Sequence, residues 1–511
     1  MTATGVERQS ALGWEILADA LRDASLDLIL AVAGRPITPV GEALVATGDA
    51  RWINHEAPAM AMALAASGLG KRTAVLVKQV GLNAGLDVLA CAAPHRSGGA
   101  MVVVVGDDPG GAYSQTEGDA RRLAAAIDLP CIDAAGGSDL PAALHEALAL
   151  SVRVQAPAIL RVVSQTLLEL RSSVLPEERP AVEARPFDPR FWRTDPEGQR
   201  RAIVQALEAL PEDGAFTRRP GEGDLRVVAA GEPGAQVLAS TELDVLLVRR
   251  AHPLPAGAIG AFVRESDAPL LVLEDSNPLL EDEVRAAATT RPVLGRRTSQ
   301  VPWTGPIDVV ASIEAARAGR ALELAPPKYF PGDPKADLSP YGTLWDDCVA
   351  LGLTPVGLDA GHCYAGVWLD GDPSPFMYGL GSGIAAAAGL ALAQGRPVVC
   401  ISGDMGVFHA GILGLLQVVR DQIPVVTFIA DDGVARYTGG QPHPGSTAGP
   451  GQREVSLVDL ARGAGVDLVE TLDMDEMRSE IVRPLLQRLI DANRPAVVVI
   501  DARRVAQRGE E

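Results

Sequence analysis

Short apolar runs alternate with Ala- and Leu-rich stretches of helical period along the chain, the pattern that parallel β–α–β units leave in a sequence. Leu28–Ala33, Thr73–Val77, Ala100–Val105 and Ala158–Val163 read as strands without polar alternation, so both faces of each are expected to be covered. With helices such as Trp14–Ala24 and Ala57–Ser67 between them, they predict a doubly wound α/β domain over residues 1–180. Leu225–Ala229, Val245–Val248 and Leu270–Leu273 predict a smaller α/β domain over 181–325. Pro397–Ser402, Val425–Ala430 and Ala496–Asp501 predict a third over 326–511. Two stretches interrupt the alternation and read as linkers. One is Val174–Pro220, rich in Pro, Glu and Arg; the other holds Pro326, Pro327, Pro331, Pro334 and Pro340.

Composition narrows the function classes. A chain of 511 residues, 47% hydrophobic and 22% charged, buries more than one core. Its formal charge of −20 leaves only short basic clusters such as Arg249-Arg250 near His252, which argues against nucleic-acid partners. Met1 to Ser10 is polar, without the charged head and apolar run of a signal peptide, and no apolar run reaches the roughly 20 residues of a membrane span. A cytoplasmic location is expected. The five cysteines, Cys91, Cys131, Cys348, Cys363 and Cys400, are scattered without a C-x-x-C pair, so buried free thiols are expected rather than disulfides, zinc or iron–sulfur ligands.

The chemistry concentrates after two strands of the third domain. Gly403-Asp404-Met405 follows Pro397–Ser402 directly, and Asp431-Asp432-Gly433 closes the next apolar strand. Oxygen ligands at the carboxyl ends of neighbouring parallel strands converge on one hard cation, and magnesium holding a diphosphate fits that arrangement. The plain alternative is that both aspartates cap helices, as Asp commonly does. Gly403 to Asp432 spans 30 residues and resembles the thiamine diphosphate motif that runs from Gly-Asp-Gly to Asn-Asn. Met405 departs from its second glycine and Asp432 from its asparagine.

Longer segments extend the resemblance. Gly403 through Ile412 and Tyr437 through Gly445 look like the corresponding parts of the indolepyruvate:ferredoxin oxidoreductase large subunit. So do Asn54-His55-Glu56, Lys78-Gln79-Val80-Gly81-Leu82-Asn83, Gly106-Asp107-Asp108-Pro109-Gly110 and Ser114-Gln115-Thr116-Glu117, in that family's order. The middle of the chain is similar only loosely, around Pro253-Leu254-Pro255 and Leu273-Glu274-Asp275. The resemblance implies three doubly wound domains of the thiamine diphosphate-enzyme type, binding pyrimidine, lying between, and binding diphosphate. It also implies a homodimer or dimer of dimers acting on a 2-oxo acid, with arylpyruvates preferred by the relatives.

Carried over residue by residue, Glu56 is the carboxylate that drives the pyrimidine amino group to its imino form; the alternative is that it merely opens its helix. Asp404 and Asp432 through side chains and Val434 through its carbonyl would hold Mg2+, with Gly403 and Met405 beside the cofactor. Gly379, Gly381 and Ser382, ahead of the small-residue helix Ile384–Ala393, would offer backbone amides to the diphosphate. His409 and His443 are candidates for proton transfer or for holding the substrate carboxylate. Lys78, Gln79, Asn83 and Gln441 are candidate substrate groups, although Lys78 also suits a strand-end salt bridge. His95, His145 and His252 read as packing or surface residues.

The family's clustered cysteines and its Cys-x-x-Cys-Pro-His-Arg element have no counterpart; the matching stretch reads Phe330-Pro331-Gly332-Asp333-Pro334-Lys335. Without thiolates the chain holds no electron wire of its own. The reading that follows is non-oxidative decarboxylation or carbon–carbon ligation of a 2-oxo acid, a lyase or transferase. An oxidoreductase subunit that borrows a partner's iron–sulfur centre is the alternative on the same scaffold. A non-catalytic thiamine-fold scaffold is a third.

Overall fold

The computed structural model describes residues 11–92, 100–111, 113–114, 117–171, 196–289, 291–303, 306–322, 339–353, 355–357 and 379–503. The chain divides into two compact units, Met1–Phe330 and Pro331–Glu511. The architecture is α/β throughout, with three sheets in which parallel pairing dominates.

The first unit carries two of these sheets. One runs Arg250–His252, Cys131–Asp133, Ala158–Val163, Met101–Asp107, Thr73–Lys78, Leu28–Ala31, Ala50–Trp52, parallel except for its first strand. The other runs Val293–Leu294, Leu270–Leu273, Arg226–Ala230, Asp244–Val248, Phe216–Arg219, with the last strand antiparallel at the edge. The central strands of the first sheet are buried along their length, which is why they read as unbroken apolar runs.

The stretch Val174–Pro220, read as a linker, is corrected for its described part. It contains the helix Pro196–Glu208 and the edge strand Phe216–Arg219. Ile203, Leu207 and Leu210 anchor this region on the first core, so three apolar positions outweigh the Pro-, Glu- and Arg-rich composition around them. The second linker and the opening Phe330–Lys335 lie mostly or wholly outside the described residues.

The second unit holds one all-parallel sheet in the order Val356–Gly357, Val398–Gly403, Val425–Asp431, Ala496–Asp501, Leu468–Asp473. Alternate residues of its strands feed separate cores. Val398, Cys400, Val425 and Val497 pack with the helices Gly383–Gln394 and Ile412–Arg420, whereas Val399, Ile401, Val426 and Val498 pack with Ser339–Ala350 and Ser479–Asp491. Gly403 pairs with Ala430, so the chain leaves both strands at the same level and Asp404 emerges beside Asp431 and Asp432. Among the described residues no helix is long and apolar enough to cross a membrane. Cys131, Cys348 and Cys400 are buried and make no disulfide with one another; Cys91 is exposed, against expectation, and Cys363 lies outside the described residues.

Candidate active site

In the first unit the candidate residues gather at the carboxyl ends of two adjacent strands, where Lys78 pairs with Gly106. Glu56 opens the helix Glu56–Gly68, whose preceding residue His55 caps it by accepting the Ala57 N–H on Nδ1 at 3.0 Å. The carboxylate is 6% exposed and lies against the first turn of the helix Gln79–Ala92. A Cβ on Gly81 would fall 2.3 Å from Glu56 Oε1, so only glycine lets the two segments approach.

Lys78 ends its strand partly buried. Burial pushes its ammonium below the ordinary lysine range, while Glu56 and Asp108 pull the other way. Its Nζ donates to Ser114 Oγ at 3.3 Å, and Gln79 Nε2 reaches the same oxygen at 3.5 Å. Asp108 fixes this loop by accepting the Tyr113 and Ser114 N–H groups on Oδ2 at 2.7 and 2.6 Å. The structure thus brings Lys78 and Gln79 together at Ser114 and leaves Asn83 exposed one turn later. Gln115 and Thr116 lie outside the described residues.

Behind these strand ends sits a buried ionic network. Arg161, in the middle of Ala158–Val163, donates to Asp107 Oδ2 at 2.5 Å, Asp133 Oδ1 at 2.8 Å and Ser276 Oγ at 3.1 Å. Arg121 donates through two nitrogens to Asp119 and reaches Glu274 Oε2 at 2.8 Å and the Asp275 carbonyl at 2.6 Å. Both guanidinium groups therefore tie the first sheet to the loop after Leu270–Leu273. Burial pushes Asp107 and Asp275 up to about 6 despite the arginines, and among the described residues neither carboxylate oxygen of Asp275 has a hydrogen-bond partner.

In the second unit Asp404 is 2% exposed and accepts three hydrogen bonds. Met405 N–H reaches Oδ1 at 2.6 Å, while Gly433 N–H at 2.8 Å and His443 Nε2 at 3.1 Å reach Oδ2. Asp432 accepts Val434 N–H on Oδ1 at 3.2 Å and Arg436 Nε on Oδ2 at 2.8 Å. The Val434 carbonyl accepts Arg436 N–H at 2.9 Å. Asp404, Asp432 and His443 each place a potential ligand atom within 4.8 Å of the others. Asp431, one residue earlier, faces Arg503 at 3.0 Å, and burial pushes its carboxyl up to about 6.

Gly381 has φ +83°, and a Cβ there would fall 2.4 Å from the Gly406 carbonyl oxygen. The glycine run is thus pressed against the turn after Asp404, with Ser382 Oγ donating to the Gly379 carbonyl at 2.6 Å. His409 lies in the π-turn Val407–Gly411, a distortion frequent at functional sites, and its Nδ1 donates to the Leu380 carbonyl at 3.0 Å. Gln441 is buried and turned into its own loop, where Nε2 donates to the Thr438 carbonyl at 3.0 Å.

Residues 363–500 match the family described as thiamine pyrophosphate enzyme, C-terminal TPP binding domain. The indolepyruvate oxidoreductase subunit IorA of Methanothermobacter marburgensis is 27% identical over 94% of this chain and 85% of its own length. This chain resembles the IorA subunit. The IorA of Archaeoglobus fulgidus, 27% identical, covers 96% and 86% of the two chains, and that of Pyrococcus abyssi, 23% identical, covers 91% and 81%. A solved 2-oxoglutarate:ferredoxin oxidoreductase from Magnetococcus marinus aligns at TM-score 0.44 and 13% identity, over 61% of this chain and 64% of that one.

These relatives correct the functional reading of the sequence. Non-oxidative decarboxylation or carboligation, by a lyase or transferase, is overturned because proteins alike over nearly the whole chain are oxidoreductase subunits. The error was physical: scattered cysteines show that these residues hold no electron wire, whereas an acceptor can sit on another subunit.

Ser114, Asp108 and Arg436 escaped the sequence reading as working parts. Ser114 and Asp108 lay inside quoted motifs without a role. Arg436, four residues after Asp432, carried a readable signal, since a cation at that spacing on one turn pairs with the extra carboxylate.

Proposed function

We propose that this chain is the thiamine diphosphate-binding subunit of a 2-oxo acid oxidoreductase that acts on an arylpyruvate such as indolepyruvate. Electrons would pass to a redox centre on a partner subunit, in a dimer-based assembly. The observation that carries this reading is the 27% identity to an IorA subunit over 94% of the chain. Glu56 opens the helix after Ala50–Trp52 and Asp404 follows the strand Val398–Gly403, and the burial of both carboxylates supports the roles the resemblance implies for them.

The donor set of the second unit fits a divalent cation. Side-chain oxygens of Asp404 and Asp432 lie within 4.8 Å of each other, and with the Val434 carbonyl, which the resemblance adds, they would make a hard oxygen set suited to Mg2+ holding a diphosphate. When bound, thiamine diphosphate supplies the nucleophilic carbon for the substrate ketone and the electron sink for loss of carbon dioxide. Glu56, buried and packed against Gly81, would face the pyrimidine ring of the cofactor and hold or release a proton there. Lys78 offers its ammonium to the substrate carboxylate from a partly buried site, and Ser114 and Gln79 fix its direction. The π-turn holds His409 with its Nδ1 proton on Leu380, which makes Nε2 the nitrogen that accepts a proton. Backbone amides of the run Gly379–Gly381 would face the diphosphate, whereas the Ser382 N–H is spent on the Gly379 carbonyl at 3.0 Å.

The test is a titration of the protein with thiamine diphosphate, with and without Mg2+, followed by circular dichroism. Saturable, Mg2+-dependent binding that Asp404→Ala abolishes is expected. Binding indifferent to the metal and to Asp404 would remove the basis of the proposal.

A further inference from the structure

We propose that His443 is a positioning residue that holds Asp404 in a one-oxygen binding mode toward the cation, and is not itself a ligand. This rests on the functional reading above. Proximity alone suggests the opposite, because His443 Nε2 lies among the potential ligand atoms with Asp404 and Asp432.

The hydrogen bonds of the ring decide between the two roles. Gly445 N–H donates to His443 Nδ1 at 3.1 Å, which occupies the lone pair of that nitrogen. A ring that accepts at Nδ1 carries its proton on Nε2, and Nε2 faces Asp404 Oδ2 at 3.1 Å. An Nε2–H is a donor and has no lone pair for a metal. Moving the proton to Nδ1 would set two donors against each other at Gly445.

The same count fixes what Asp404 can offer. A carboxylate has about four lone-pair directions. Gly433 N–H and His443 Nε2–H use both on Oδ2, and Met405 N–H uses one on Oδ1. Among the described residues one direction remains, on Oδ1, so Asp404 would bind through a single oxygen. Hydrogen bonds behind a ligating group set its orientation and commonly decide metal affinity by about 10- to 100-fold.

The loop is built around this ring. Its side chain is wholly buried, and Phe408 packs on it with ring centroids 5.4 Å apart. A Cβ on Gly445 would fall 2.5 Å from Phe408 Cε2, so glycine is needed to bring that N–H to the ring. Ser446 accepts His443 N–H at 2.8 Å and donates to the Gly433 carbonyl at 2.5 Å, which clamps the loop to the turn that also grips Asp404.

The test uses Mn2+ as a spin probe on the full chain with thiamine diphosphate. Electron spin echo spectra of the wild type should show no coupling to a directly bound imidazole nitrogen. Isotope-labelled histidine should report His443 protonated at Nε2 before and after loading. His443→Phe, which keeps a ring and loses the donor, should weaken Mn2+ binding about 10- to 100-fold, and His443→Gln, which restores an N–H of similar reach, should recover most of the loss. A directly bound imidazole nitrogen, an Nε2 that loses its proton on loading, or equal binding by the Phe and Gln variants would overturn the proposal. Wild-type protein that takes up no Mn2+ with thiamine diphosphate would instead refute the functional reading beneath it.

Discussion

Gly81→Ala should disable Glu56 without touching it. The added Cβ would sit 2.3 Å from Oε1, 2.9 Å from Cδ and 3.0 Å from Cγ of Glu56, so the whole end of the side chain blocks it. Heavy atoms in van der Waals contact stay roughly 3.5 Å apart, which means that the carboxylate must shift by roughly 1 Å. A displacement of that size in a catalytic group costs about 100-fold in rate. The assay is exchange of the thiamine diphosphate C2 proton for deuterium in the holoprotein, which reads proton control before any substrate is turned over. Gly85→Ala is the control one turn later. Its Cβ would meet Met60 Cγ at 2.9 Å and Glu56 Cβ only at 3.6 Å, so it should lower stability by about 1–3 kcal/mol and leave exchange near wild type. Wild-type exchange in a folded Gly81→Ala protein, or equal loss in both variants, would refute the role given to Glu56.

Further expectations follow from the ionic network and the strand ends. Asp275 has a folded pKa of about 6 against an ordinary 3.8, so the folded state keeps a proton that the unfolded chain releases, and stability present below about pH 4 is lost as pH rises to 6. Asp275→Asn should therefore stabilise the chain by about 3 kcal/mol at pH 7 and by almost nothing at pH 4, read from urea unfolding at both pH values. Arg161→Leu should do the reverse, destabilising by about 3–5 kcal/mol in the same assay, because Asp107 stays buried without its ion-pair partner and Asp133 keeps only Arg121 at 3.9 Å. Lys78→Met should raise KM for the 2-oxo acid far more than it lowers kcat, measured by steady-state kinetics, if the ammonium holds the substrate carboxylate.

The apolar runs made the central strands legible: Ala158–Val163, Leu270–Leu273 and Ala496–Asp501 fall where they read, since a strand covered on both faces leaves an uninterrupted signal. Ala50–Trp52 and Cys131–Asp133 did not stand out, being three residues long. Phe216–Arg219 was hidden because an edge strand shows water half of its side chains and so looks like polar linker. Arg161 was legible in principle, because an arginine inside a parallel strand has to be paired. Strand-end logic pointed to Asp404 and Asp432 as oxygen ligands but left helix capping open, and only the resemblance favoured the first. The direction of the His443 ring could not, because it depends on the backbone N–H of Gly445, which no side-chain pattern announces.

The most direct measurement is the electron yield of carbon dioxide release. Protein, thiamine diphosphate and Mg2+ are incubated anaerobically with indolepyruvate and a viologen acceptor, and reduced viologen and carbon dioxide are counted together. A pair of electrons per carbon dioxide, with no release when acceptor is absent, is expected of an oxidoreductase subunit. Carbon dioxide released without reduced viologen would contradict that assignment.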